Sequence, residues 1–127
     1  MLEECLTQLV ENLALDNALF KENQLFLLKL HKELIITFLE LDPGCTFFAT
    51  IGTCPLNKQE EVFIYLMKAN LLGQGTGGSV IGLSRDEKFL TLRLVLPYDM
   101  NYKVFKDALE DFTNYLDFWK NELSYYQ

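Results

Sequence analysis

The sequence predicts an α+β fold: an antiparallel sheet with three helices, in the order α-β-β-β-α-β-β-α, assembled as a dimer. Three observations carry this. Stretches near both ends of the chain repeat leucines and aromatics three or four residues apart, the spacing of an amphipathic helix. Between them lie five apolar runs rich in β-branched and aromatic residues, and strands joined by short turns pair antiparallel. The central segment NKQEEVFIYLMKANLLGQGTGGSVIGL, residues 57–83, holds a helix that is apolar on both sides. A helix apolar all round is buried all round, and a single domain of 127 residues, 1–127, does not easily enclose one. One side then faces the domain's own sheet and the other faces a second subunit. The alternative is a core helix of a monomer.

In chain order, Leu2, Leu6, Leu9 and Leu13 form a stripe with Val10 beside it, and Glu3 and Glu4 complement the helix dipole. The spacing predicts a helix ending near Asp16–Asn17. Periodicity then changes to alternation. In Leu25–His31, Phe26, Leu28 and Leu30 point inward while Leu25, Leu27, Lys29 and His31 point outward. Lys32-Glu33 makes a tight connection to a second strand, Ile35–Leu41. The Asp42-Pro43-Gly44 turn leads to a third, Thr46–Ile51, stopped by Gly52 and Pro55. Leu25, Leu27, Ile36, Phe38 and Phe48 put more apolar surface on the outer face than a one-sided sheet needs. Either a second layer or a partner covers them.

Asn57 and Glu60 have the spacing of a capping box for the central helix, and Gly73 suits its left-handed end. Val62, Leu66 and Ala69 lie on one side, flanked by Phe63, Tyr65 and Leu72; Ile64, Met67 and Leu71 lie opposite. Gly73, Gly75, Gly77 and Gly78 invite a phosphate-loop reading, but such a loop follows a strand, opens a helix and carries Gly-Lys-Ser/Thr. Here the helix comes first, so a helix-to-strand turn is the better account. Ser79–Ser84 and Lys88–Leu96 form a hairpin about Arg85-Asp86-Glu87, with Leu90, Leu92, Leu94 and Leu96 inward and Phe89, Thr91, Arg93 and Val95 outward. The last helix carries the stripe Phe105, Ala108, Leu109, Phe112, Leu116, Trp119 and Leu123. Phe118 projects from its polar side, an exposed aromatic and a candidate contact.

The net charge is −7 with no cluster of lysine or arginine, which disfavours nucleic acid and anionic membranes. It suits a soluble protein that handles a sticky or basic polypeptide. No apolar run reaches membrane-span length, and the acidic start MLEECLTQ lacks the basic region of a signal peptide, so a cytosolic protein is expected. Cys5, Cys45 and Cys54 are odd in number, lack C-x-x-C spacing and are expected as reduced thiols; the lone His31 rules out a two-histidine metal site. Neither metal nor other cofactor is expected. Glu3/Glu4 and Asp86/Glu87 occupy solvated positions unsuited to raised carboxylate pKa values. Ser79 or Ser84 with His31 has no nucleophile-elbow spacing. No enzyme is expected.

The segment LMKANLLGQGTGGSVIGLS, Leu66–Ser84, runs a helix ending in AN-L-L into a T-G-G turn and a strand. Together with FKDALEDFTNYLDFWKNEL, carrying Phe105, Leu109, Phe112 and Trp119, it resembles the class I chaperones of bacterial type III secretion, the Tir-chaperone (CesT-like) group. The resemblance implies a small acidic dimer of the bacterial cytosol, without ATP hydrolysis. Such a dimer binds the N-terminal chaperone-binding segment of a secreted effector and keeps it soluble and extended for the secretion machinery. It implies dimerisation, with itself or a sister chaperone, through the middle helix and following strand: Phe63, Ile64, Met67, Leu71, Leu72, Val80 and Ile81. The first helix departs from the group, ending NLALDN where L-G-L-P is frequent. The client is expected on the apolar track of Leu25, Leu27, Ile36, Phe38 and Phe48, helped by Leu6 or Val10, with Phe89 as a further contact. The competing readings are a dimer that binds an apolar small ligand and an adaptor within the secretion machinery.

Overall fold

The computed structural model describes residues 1–15, 18–30, 34–73 and 75–126, the side chain of Leu72 excepted. The elements are α1 (Leu2–Asn12), β1 (Leu19–Glu22), β2 (Leu25–Lys29), β3 (Ile35–Glu40), β4 (Cys45–Thr53), α2 (Gln59–Asn70), β5 (Val80–Leu83), β6 (Phe89–Leu96) and α3 (Tyr102–Ser124). The fold is α+β as expected, but the sheet has six strands, in the order β1-β2-β3-β4-β6-β5. The chain divides into two compact units: Met1–Phe48 with Val95–Glu110, and Ala49–Leu94 with Asp111–Gln127.

In the first unit, α1 buries Leu2, Cys5, Leu6 and Leu9. Its start is tied down by the Leu2 N–H, which donates to Glu40 Oε1 at 3.2 Å, with the terminal amine 3.5 Å from the same oxygen. The helix stops at Asn12, leaving Leu13 outside the stripe and exposed. Asp16, Asn17 and the expected connection at Lys32-Glu33, with His31, lie outside the described residues. β1 is the strand that the sequence did not announce. It pairs antiparallel with β2, Leu19 opposite Leu28 and Phe20 opposite Leu27, around a turn in which Asn23 takes φ 56°. Asparagine tolerates that left-handed backbone better than most residues. β3 pairs with β2 and β4, and Gly44 closes the β3–β4 turn at φ 100°, where a Cβ would lie 1.9 Å from the Leu96 carbonyl oxygen. The centre of this unit is an aromatic trio. Phe47 meets Phe38 and Phe105 edge-on, with centroids 5.1 and 5.5 Å apart. Such edge-to-face pairs add to the stabilisation from buried area.

In the second unit, α2 begins after Lys58, which adopts a left-handed backbone, and no side chain caps the helix. The Asn57–Glu60 capping box is therefore not formed. Val62, Leu66 and Ala69 are buried, as is the α3 stripe of Phe112, Leu116, Trp119 and Leu123. A short 3-10 turn, Leu71–Gly73, ends α2, and Gly73 takes φ 69°, the left-handed conformation its position suggests. β5 and β6 form the expected hairpin. Its turn is held by Asp86, which accepts from the Ser84 hydroxyl at 2.7 Å and from the Lys88 N–H at 3.1 Å, and these bonds lower its pKa.

Candidate functional site

The outer face of the sheet in the first unit is built by register. Phe20, Leu27, Thr37 and Phe48 stand directly opposite one another across β1, β2, β3 and β4. Cross-strand partners share a face, so these four make a transverse row. Leu25 opposite Leu39 and Lys29 opposite Ile35 extend it on both sides. Phe20, Leu25, Ile35, Leu39 and Phe48 are exposed and Leu27 is half-buried. The Lys29 ammonium sits 5.0 Å from the Phe20 ring centroid, a cation over an otherwise apolar surface. A soluble protein rarely leaves so many large apolar side chains contiguous unless they contact a partner.

This face differs from the expected track in one strand. Ile36 and Phe38 are fully buried, at 0% exposure, and point into the core, whereas Ile35, Thr37 and Leu39 point out. A shift of one residue exchanges the faces of a whole strand. In LIITFLE both phases are apolar, so alternation alone did not fix the phase. Leu6 is also buried at 0%, a core residue of α1 instead of a contact at its edge, while Val10 is half-buried. Phe20, Ile35 and Leu39 were missed. The signal for Phe20 was the repeated LF in LFKENQLFLL, two apolar pairs about an Asn-Gln turn.

A second apolar surface lies in the second unit. Ile64 and Met67 on α2 and Leu71 just past its end are exposed, Met67 at 71% and Leu71 at 63%, and Val80 of β5 is exposed as well. Phe63 is half-buried, and the Leu72 side chain lies outside the described residues. Ile81 is buried and faces the core, because the strand V-I-G-L alternates and Val80 holds the outward phase. Phe89 is exposed on β6 of the same unit.

The glycine-rich turn is a packing device. Trp119 Nε1–H donates to the Gly75 carbonyl at 2.9 Å, and the buried Thr76 hydroxyl donates to the Ser79 carbonyl. A Cβ on Gly77 would come within 2.3 Å of the Tyr115 ring. The absence of side chains lets the turn close against α3.

The thiols are poorly suited to nucleophilic chemistry. All three cysteines are free and buried. Burial, then the neighbouring Cys5 and Glu40, push Cys45 up to about 12, and burial also raises Cys5 and Cys54. A thiol that stays protonated is a weak nucleophile. No helix among the described residues is long and apolar enough to cross a membrane.

The model of the Tir chaperone protein (CesT) family matches residues 4–120. No curated protein matches the sequence. Among solved structures, a chain in the crystal structure of the ExsC–ExsE complex is similar with a TM-score of 0.76 at 14% identity, over 94% of this chain and 91% of that one. YbjN from E. coli, described as a putative transcription regulator, is similar with a TM-score of 0.64 at 12% identity, over 95% and 90% of the two chains. At these identities the structural likeness is one of fold.

Proposed function

The chain belongs to the Tir chaperone protein (CesT) family, and from that premise we propose that it is a type III secretion chaperone that binds the N-terminal segment of a secreted effector. The observation that carries this is the exposed row Phe20–Leu27–Thr37–Phe48 with Leu25, Ile35 and Leu39 around it. An extended polypeptide has side chains alternating at the spacing of a sheet and lays them against such a surface without one deep pocket. Many shallow apolar contacts offset the entropy of ordering a flexible segment. Neither nucleotide nor catalysis is required, and the protein acts in the bacterial cytosol by keeping its client soluble and extended.

The exposed side of α2 supports dimerisation. Ile64, Met67, Leu71 and Val80 form an apolar surface that, repeated on a second copy, is self-complementary about a twofold axis. The likeness to a chain of the ExsC–ExsE complex agrees with a polypeptide-binding role. The test is calorimetry between the purified protein and the N-terminal segment of an effector encoded beside it. Saturable binding with a negative heat-capacity change, the mark of buried apolar surface, is expected. Absence of binding to every such segment overturns the proposal.

A further inference from the structure

Within the second unit, α2, the glycine turn and the C-terminal half of α3 surround a pocket of about 380 Å3. Its walls are mainly four aromatic rings, Tyr65, Tyr115, Phe118 and Trp119, with the small residues Ala69 and Gly75 between them and Asn114 at the side. The rings are held in place before any ligand arrives. Tyr65 Oη–H donates to Glu122 Oε1 at 2.5 Å, and the Trp119 indole N–H donates to Gly75. Trp119 also packs against Tyr65 and, edge-on, against Phe118, at centroid distances of 5.3 and 5.1 Å. A preformed wall avoids the entropy cost of ordering side chains on binding.

Carboxylates outnumber cations around the pocket, with Glu61 one turn before Tyr65 and Lys68 one turn after it on α2. Among the described residues, no lysine, arginine or histidine lines the pocket. The indole N–H and the Tyr65 hydroxyl proton already have acceptors. The lining that an incoming group meets is mostly aromatic, and an aromatic ring face carries a negative quadrupole. Asp111 lies one helical turn before Tyr115, and Glu122 one turn after Phe118, so a carboxylate flanks the pocket at each end along α3. Phe118, 49% exposed, leaves one side open. Among the described lining side chains, an anion meets no donor beyond the Asn114 amide and the Tyr115 hydroxyl.

We propose that this pocket binds a cationic side chain of a polypeptide partner, arginine in preference to lysine. A guanidinium stacks flat on the exposed Phe118 ring, with the nearly perpendicular Trp119 ring behind it and its stem on Ala69, and Glu122 or Asp111 supplies the countercharge. Lysine offers the charge without the planar stacking surface. The site belongs to the second unit and does not depend on the secretion-chaperone reading.

Trp119 is the only tryptophan, so its indole N–H resonance reports on the pocket alone. The experiment titrates the intact protein with N-acetyl-arginine amide, and separately with the lysine, leucine and glutamate amides, at matched ionic strength. The arginine derivative should shift the indole resonance saturably, with half-saturation in roughly the tens of millimolar, as for a desolvated cation–π contact. Lysine should bind more weakly, and leucine and glutamate at least about tenfold more weakly, on the same basis. Phe118→Leu should weaken arginine binding at least about fivefold without altering the circular dichroism spectrum. Glu122→Gln should reduce its salt sensitivity. No saturable shift with the arginine amide would overturn the proposal. So would leucine amide binding as tightly as arginine amide, which would mark a purely apolar socket; both comparisons use the unmodified protein and hold even if a variant misfolds.

Discussion

The Asn70 side chain grips the backbone of Ile81 at two points. Its amide nitrogen donates to the Ile81 carbonyl at 2.9 Å, and its oxygen accepts from the Ile81 N–H at 2.8 Å. β5 is an end strand of the sheet, so these two backbone groups have no strand beyond them. The amide stands in for one. It satisfies the edge at that residue and fastens the end of α2 to β5.

Replacing Asn70 with alanine removes both bonds at once. Leaving partly buried backbone groups without partners costs about 1–3 kcal/mol, enough to lower Tm by several degrees, and it uncovers a strand edge prone to pairing with another chain. Thermal melts and light scattering should show lower stability with a rise in soluble aggregates. A variant that melts within a degree of the parent and stays dispersed would mean that water replaces the amide at no cost.

The proposed dimer surface can be tested without disturbing the fold of one chain. Met67 and Leu71 are exposed within a single copy, so glutamate at either position meets water in the monomer. Buried at an interface, the same unpaired charge costs about 3–5 kcal/mol. Met67→Glu and Leu71→Glu should each give a folded monomer by light scattering coupled to size exclusion. Two variants that both remain dimers would place the subunit contact elsewhere.

The outer face makes a prediction that depends on the phase of β3. Leu27→Asp together with Phe48→Asp should lower affinity for an effector's N-terminal segment at least about thirtyfold, as expected when two central apolar contacts are removed, and leave a folded protein. Phe38→Asp, one residue out of phase with that face, should instead unfold the chain, because Phe38 is fully buried and its substitute would be an unpaired charge. Calorimetry and circular dichroism separate the two outcomes. Full affinity in the folded double variant would move the binding surface away from this row.

The alkaline limb of stability should reflect Cys45 and Tyr65. Burial raises the Cys45 thiol from 9.0 to about 12, and the hydrogen bond to Glu122, followed by burial, raises the Tyr65 phenol from 10.0 to about 12. Both folded-state values are raised, so the neutral forms favour folding. Their contribution is fully present below the unfolded values and is lost as pH rises through the folded ones. Tm should therefore fall from about pH 9, steepen above 10 and continue to fall toward 12, while Cys45 resists thiol reagents at pH 8 in the folded protein. A flat Tm up to pH 11 would contradict the assignment.

The helices were legible because their stripes repeat at a single period that no strand can reproduce; the α3 stripe from Phe105 to Leu123 is buried almost throughout. The two-sided apolarity of α2 was equally plain, and the structure leaves its second side open. The strands were legible as elements and less so as surfaces. In β3 every residue from Leu34 to Leu39 except Thr37 is apolar, so only the pairing of Phe38 with Phe26 and Phe47 fixes which side is inner. β1 escaped because LFKE has one apolar pair and borrows its identity from the strand beside it. The aromatic pocket was visible only as one anomaly, Phe118 on a polar face. Its other walls come from residues far apart in sequence.

Neither compact unit is continuous along the chain. The first needs residues 95–110 as well as 1–48, and Phe105 supplies the third ring of its aromatic centre. Synthesis at about 5–20 residues per second therefore imposes a wait of several seconds between the emergence of β4 and the arrival of its partner ring. Throughout that interval the nascent strands have a hydrophobic inner face with no lid from α3. Maturation is thus timed by the ribosome, and the first unit completes its core only after residues 95–110 have emerged.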